Sequence, residues 1–158
     1  MFEYEPLKLF DPDKDGIDHI NTYSQGRTEL GRLMSNFAYT PFTFEPYGDF
    51  VGGEGFYFYY LTGCQHEEFK TLVGAKAKAY ADNFTADRID GFGLSDEMLD
   101  VITNMMVIKT AATPRLMELL KESTLPFCHY YYKWGRIYQF DGHDWFSAAW
   151  EDIRTALK

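Results

Sequence analysis

Cysteine is scarce in this chain. Two residues, Cys64 and Cys128, cannot form the disulfide framework of a small secreted scaffold. Long apolar runs are missing as well, and the first residues do not form a leader with a basic start and an apolar centre, so a soluble, cytoplasmic protein without a membrane span is predicted. Basic residues are outnumbered, 15 Lys and Arg against 24 Asp and Glu, for a net charge of −9. Such a surface repels duplex phosphates and excludes general DNA binding by counterion release. It leaves room for a local basic pocket around one small anion.

Metal and nucleophile signatures are incomplete. Cys64 and His66 have no partners at zinc spacing. Cys128 and His129 are neighbours on a predicted strand and point to opposite faces, so no thiol–imidazole pair forms there. Asp11, Asp13, Asp15 and Gly16 imitate the first half of a calcium loop, but Thr22 stands where the bidentate Glu belongs and Asp18 where an apolar residue belongs. A solvated acidic turn is predicted instead. His143 and Asp144 follow a predicted Asp141–Gly142 turn, at a helix start. Gly26 to Arg32 has the glycine spacing of a phosphate loop, with Arg32 and Leu33 where Lys and Ser or Thr are required, which excludes a nucleoside triphosphatase. Arg27 and Arg32 are either phosphate contacts for a ligand or two solvated arginines. No metal and no cofactor is called for.

What the chain does have is apolar and aromatic content. At 158 residues and 46% apolar it is long enough to bury one core, and one domain spanning 1–158 is predicted, with 1–16 as an N-terminal extension. Twelve Tyr and fourteen Phe are expected mostly in that core. A strand is predicted in Ile17–Tyr23. Helices are predicted from Gly53 to Gly63, over about 65–81, over 96–110 behind Ser95, and from Thr113–Pro114 to Leu120. Residues 82–93 read as a loop carrying Gly91 and Gly93. FCHYYY and RIYQF read as a hairpin around Trp134–Gly135, and the last segment as an amphipathic helix with Trp145, Ala149, Ile153 and Leu157 inward. The methionines of the 96–110 helix are assigned to the core. The class is α+β, a helix-rich single domain with a small β-sheet or hairpin.

The stretch SNFAYTPFTFEPYGDFVGGEGFYFYYLTG, Ser35 to Gly63, stands apart. It seats one carboxylate, Glu54, among glycines and rings. Burying an ionised carboxylate costs several kcal/mol unless it is paired or hydrogen-bonded. Glu54 is therefore expected at a site, or as a helix N-terminal charge. Tyr57, from the aromatic run beside it, is a candidate ligand-stacking ring.

SNFAYTPFTF, GGEGFYFYYLTG, GAKAKAYA and LPFCHYYYKWGRIYQFDGHDWFSAAWEDIR resemble, in order, the motifs of the NADAR (YbiA-like) superfamily, most closely its short phage-type members. The resemblance covers the chain from about Ile20 to its end. It implies a YbiA-like fold and cleavage of N-glycosidic bonds in ADP-ribose-like compounds, either riboflavin-pathway intermediates or ADP-ribosylated nucleobases. Carried over, Glu54 matches the acidic residue, Ser35, Asn36 and Phe37 the pocket motif, Lys78 the helical lysine, and Trp145 a pocket tryptophan. Departures are Leu61, Ala81 and Asp82, where larger members have cationic or Gly-Arg positions, and His129, near their last acidic residue.

Cleaving a ribose–base bond develops positive charge on the sugar, which a carboxylate stabilises while a donor neutralises the leaving base. Glu54 fits the first role. His129 or Lys78 fits the second, against the alternatives of a structural histidine and a solvated lysine. The expected partner is a small nucleotide-like ligand or an ADP-ribosylated base. Two functions stay open: a hydrolase using water as nucleophile, and a non-catalytic nucleotide-binding or host-interaction accessory protein of a phage.

Overall fold

Two of the helices, Glu29–Met34 and Asp96–Ala112, begin where the sequence supplies a side-chain partner for the first turn. The computed structural model describes residues 10–88, 95–139 and 144–158. In chain order the elements are β1 (Ile20–Asn21), α1 (Glu29–Met34), β2 (Phe42–Phe44), β3 (Gly48–Phe50), α2 (Gly53–Leu61), α3 (Ala75–Ala81), α4 (Asp96–Ala112), α5 (Pro114–Glu122), β4 (Phe127–Cys128), β5 (Tyr131–Lys133), β6 (Arg136–Tyr138) and α6 (Asp144–Leu157). Thr28 caps α1 by accepting from the Gly31 amide, and Ser95 caps α4 by accepting from Met98. Asp96 and Glu97 place negative charge in α4's first turn, and Pro114 opens α5, where no amide hydrogen is needed.

The strands form three two-stranded sheets among the described residues: parallel β1–β4, antiparallel β2–β3 and antiparallel β5–β6. The fold is α+β and rich in helix. Its core joins Phe42, Phe50 and Phe56 to Met98, Ile102, Met105 and Met106 of α4 and Trp150 of α6. At about 25 cal/mol per Å² of apolar area, these rings and thioethers supply the main stabilising contribution. The α4 methionines are at most 1% exposed, as their core assignment requires.

Five expectations change. The helix over 65–81 is broken into a 3-10 turn at Glu67–Thr71 and α3, because Leu72 is extended and Gly74 has φ +53°. That left-handed conformation interrupts the helix at little steric cost only for glycine. The Ile17–Tyr23 strand shortens to β1, and FCHYYY divides: Phe127–Cys128 pairs with β1, while Tyr131–Lys133 makes the hairpin with Arg136–Tyr138. The acidic turn is not wholly solvated. Asp15 is buried and accepts from the Asn21 and Arg27 amides at 3.0 and 2.9 Å. The predicted loop begins instead as a 3-10 segment, Asp82–Asp87. Gly91, Gly93, Asp141, Gly142, His143 and the extension through residue 9 lie outside the described residues. In α6, Ala149 and Ile153 are buried, and Trp145 and Leu157 pack against the core.

Candidate functional site

Four consecutive residues, Gly52–Gly53–Glu54–Gly55, set the position of the central carboxylate. A Cβ on Gly55 would lie 2.3 Å from the Phe69 carbonyl oxygen. One on Gly53 would lie 2.8 Å from Asn36 Oδ1, and one on Gly52 2.7 Å from the Ala38 oxygen. The glycines are therefore required by close approach, to backbone carbonyls at Gly52 and Gly55 and to the Asn36 side chain at Gly53, since Gly52 itself is extended. They let the first turn of α2 press between the Ser35–Ala38 segment and Phe69. The Glu54 amide donates to the Asn36 carbonyl at 2.8 Å, which ties the two motifs together.

This arrangement puts Glu54 on the wall of a cavity of about 730 Å³. Ser35, Asn36, Phe37, Tyr57, Lys78, His129 and Trp145 line the same cavity. So do Tyr23, Asp82, Ile102, Tyr131, Lys133 and Phe146, which sequence reasoning did not assign to a site. Among the described residues the Glu54 carboxylate has no hydrogen-bond or ion-pair partner. Burial pushes its pKa up to about 7, against the lowering charges of Lys78 and then Lys109. The same environment raises Tyr57 and Tyr131, first by burial and next through the Glu54 charge.

Lys109 was missed in the sequence. It is fully buried on α4, and its Nζ donates to the Ser35 carbonyl at 2.8 Å. The ammonium also lies 5.8 Å from the Trp150 ring centroid. Burial pushes it down to about 7, while the Glu54 charge acts to raise it. The signal was available. Met98, Ile102, Met105 and Lys109 recur at helical spacing, so the lysine sits on the apolar stripe.

His129 follows β4, with Nδ1 2.8 Å from the Thr22 carbonyl oxygen. A carbonyl only accepts, so Nδ1 carries the proton when the ring is neutral. Tyr131 and Phe146 both stand 5.3 Å from the ring, centroid to centroid. Ser35 shapes the wall: its hydroxyl accepts from the Phe37 amide and its carbonyl from Lys109. The Asn36 Oδ1 is buried and has no hydrogen-bond partner among the described residues.

Arg27 and Arg32 do not belong to this wall. The Arg27 guanidinium donates to the Asp13 carbonyl and carboxylate, at 3.0 and 2.9 Å. Arg32 donates to the Gly26 carbonyl at 2.9 Å. Their donors hold the 13–32 segment together, and the glycine spacing that drew attention to them runs from Gly26 before α1 to Gly31 inside it. No cluster of three metal-ligating side chains occurs among the described residues, nor a helix long and apolar enough to cross a membrane. Comparison with family models, curated proteins and solved structures gives no match.

Proposed function

We propose that this cavity is the active site of a small N-glycosidase of the NADAR type, acting on an ADP-ribosyl or phosphoribosyl ligand. The observation that carries the reading is Glu54, an unpartnered carboxylate aimed into a ligand-sized space with aromatic walls. The two segments with the most specific resemblance, Ser35–Phe44 and Gly52–Gly63, are the ones that meet at it. A volume of about 730 Å³ falls within the ordinary range for a small-molecule site.

Water attacks C1′ from the Glu54 side and gives its proton to that carboxylate. The C1′–N bond breaks with its electron pair passing to the base nitrogen, which takes a proton from a donor. The imidazolium form of His129 is the first choice of donor, returning to its Nδ1–H neutral form as it gives up the proton, and the Lys78 ammonium is the second. Ionised Glu54 also stabilises positive charge on the sugar ring. Lys109 beneath the site favours that ionised form. Tyr57, Phe37 and Trp145 offer faces to the ligand's rings.

A second reading, a nucleotide-binding accessory protein without turnover, has its own support. Leu61 is buried in the core, and Asp82 brings a second carboxylate to the cavity. At both positions the larger enzymes of the resembled family carry cations. The test is mass-spectrometric. ADP-ribosylated guanine oligonucleotide, NAD, ADP-ribose and phosphoribosyl-pyrimidine intermediates are incubated with the protein and with Glu54→Gln. Base release by the parent alone is expected. Ligand-induced melting shifts without any release favour the binding module.

A further inference from the structure

The β5–β6 hairpin carries a side chain that its fold does not explain. Lys133 and Arg136 pair across a two-residue turn, Trp134–Gly135, with φ of +51° and +72°. Positive φ at both positions defines the turn type that favours Asn-Gly. A bulky aromatic is a rare choice for the first position. Trp134 is also 88% exposed, so packing gives nothing back. Beside it, Lys133 and Arg136 stand directly opposite each other, like charges on one face of the hairpin. Such a pair is destabilising unless an anion sits against it. Both are exposed and neither has an ion-pair partner among the described residues. Lys133 lines the cavity, and Lys78, equally unpaired, lines it too.

The cavity is large enough for a nucleotide-sized ligand by itself. Trp134 follows Lys133 at the exposed tip of the hairpin. An exposed ring between two cations matches a nucleobase between two phosphates, the pairing by which single strands are gripped without sequence readout. The net charge of −9 disfavours a duplex footprint, which needs many phosphate contacts, more than a grip on one or two nucleotides. We infer that the Lys133–Trp134–Arg136 hairpin tip holds the single-stranded nucleic-acid flank of a substrate whose target nucleotide occupies the cavity. The inference deepens the nucleotide reading of the cavity and rests on it.

Fluorescence anisotropy with a fluorescein-labelled oligothymidylate of eight residues tests it, alongside melting shifts with ADP-ribose. Three proteins are compared: the parent, Trp134→Asn, and the double variant Lys133→Glu/Arg136→Glu. Asn suits the turn, so Trp134→Asn is expected to melt no lower than the parent while binding the oligonucleotide roughly tenfold more weakly. The charge reversals are expected to remove binding, and the parent's logarithmic salt slope to be about −1.4, for two phosphates. The ADP-ribose melting shift is expected to be equal in the parent and Trp134→Asn. An ADP-ribose shift without oligonucleotide binding overturns the inference and leaves the glycosidase reading standing. Undiminished oligonucleotide binding by Trp134→Asn also overturns it, as does loss of the ADP-ribose shift in that variant, or equal competition by oligoglutamate. Trp134-dependent binding with no base released from any candidate substrate upholds the hairpin's role and removes the glycosidase reading.

Discussion

Two carboxylates, Asp15 and Glu54, show opposite treatments of a charge set into the fold. Asp15 is 7% exposed and accepts two backbone amides, from Asn21 and Arg27. Its neighbours are equally provided for: Arg27 donates to Asp13, and Asn21 exchanges side-chain hydrogen bonds with the Tyr130 backbone. Glu54 has no such partners among the described residues, although the Asn36 carbonyl runs past it. Two cations show the same contrast. Arg154 donates to Ser123, Leu125 and Glu151, whereas among the described residues buried Lys109 has a single hydrogen bond, to Ser35. A fully bonded charge fixes local structure. An unbonded one held in place by glycine-tight packing is kept for something that arrives.

The sharpest way to break this contrast is to neutralise each carboxylate in turn. Glu54→Gln is expected to lower base release by about 10²–10⁴-fold without lowering the melting temperature, read by turnover and calorimetry. Asp15→Asn is expected to do the reverse, costing about 1–3 kcal/mol in a denaturant melt and leaving turnover intact at a permissive temperature. If the two results exchange, the contrast is wrong. Next in size is Gly55→Ala, whose methyl would meet the Phe69 carbonyl at 2.3 Å. A loss of about 3 kcal/mol or more is expected, measured in the same melt.

A pH effect follows from the raised pKa of Glu54 and the lowered one of Lys109, both about 7. With Glu54 as the base, kcat/KM should fall tenfold per pH unit below about 7. Lys109→Met removes a charge that holds Glu54 down, so the midpoint of that fall should move above 7. Stability gives the complementary sign. Buried Lys109 costs most when it must be protonated, below about 7, and that cost fades toward its unfolded value near 10.5. Lys109→Met should therefore raise the melting temperature most on the acid side. Glu54 costs most above about 7 and nothing below its unfolded value near 4.5, so Glu54→Gln should gain most on the alkaline side. The smallest effect is expected from Arg27→Ala. Its pair with Asp13 is exposed, so a change within about 1 kcal/mol and unaltered ligand shifts should be seen.

The sequence made α4, α5 and the turn of the last hairpin legible, because Ser95, Pro114 and Trp134–Gly135 act within a few residues of their own backbone. Glu54 was legible for a related reason: a lone charge among glycines and rings conflicts with its surroundings at short range. The break at Gly74 was not, since Phe69, Leu72 and Val73 carry a helical period through a position whose backbone is left-handed. Lys109 was hidden by its company, a lysine among methionines whose stripe drew the assignment to the core. Arg27 and Arg32 misled because glycine spacing is local, while their true partners, Asp13 and the Gly26 carbonyl, are set by how the chain folds back.

The short parallel pairing of β1 with β4 has a consequence for how ligand arrival is felt. The His129–Thr22 hydrogen bond spans 107 positions of chain, and both Tyr23 and His129 stand in the cavity wall. Closing so long a loop is entropically slow work for a clasp of two residue pairs. The wall near His129 therefore exists only while the clasp is shut, and a ligand touching both sides holds it shut. Amide hydrogen exchange at Ile20, Thr22 and Tyr130 should slow together as ligand is added, by the factor 1 + [L]/Kd, while exchange in α5, away from the clasp, stays as it was.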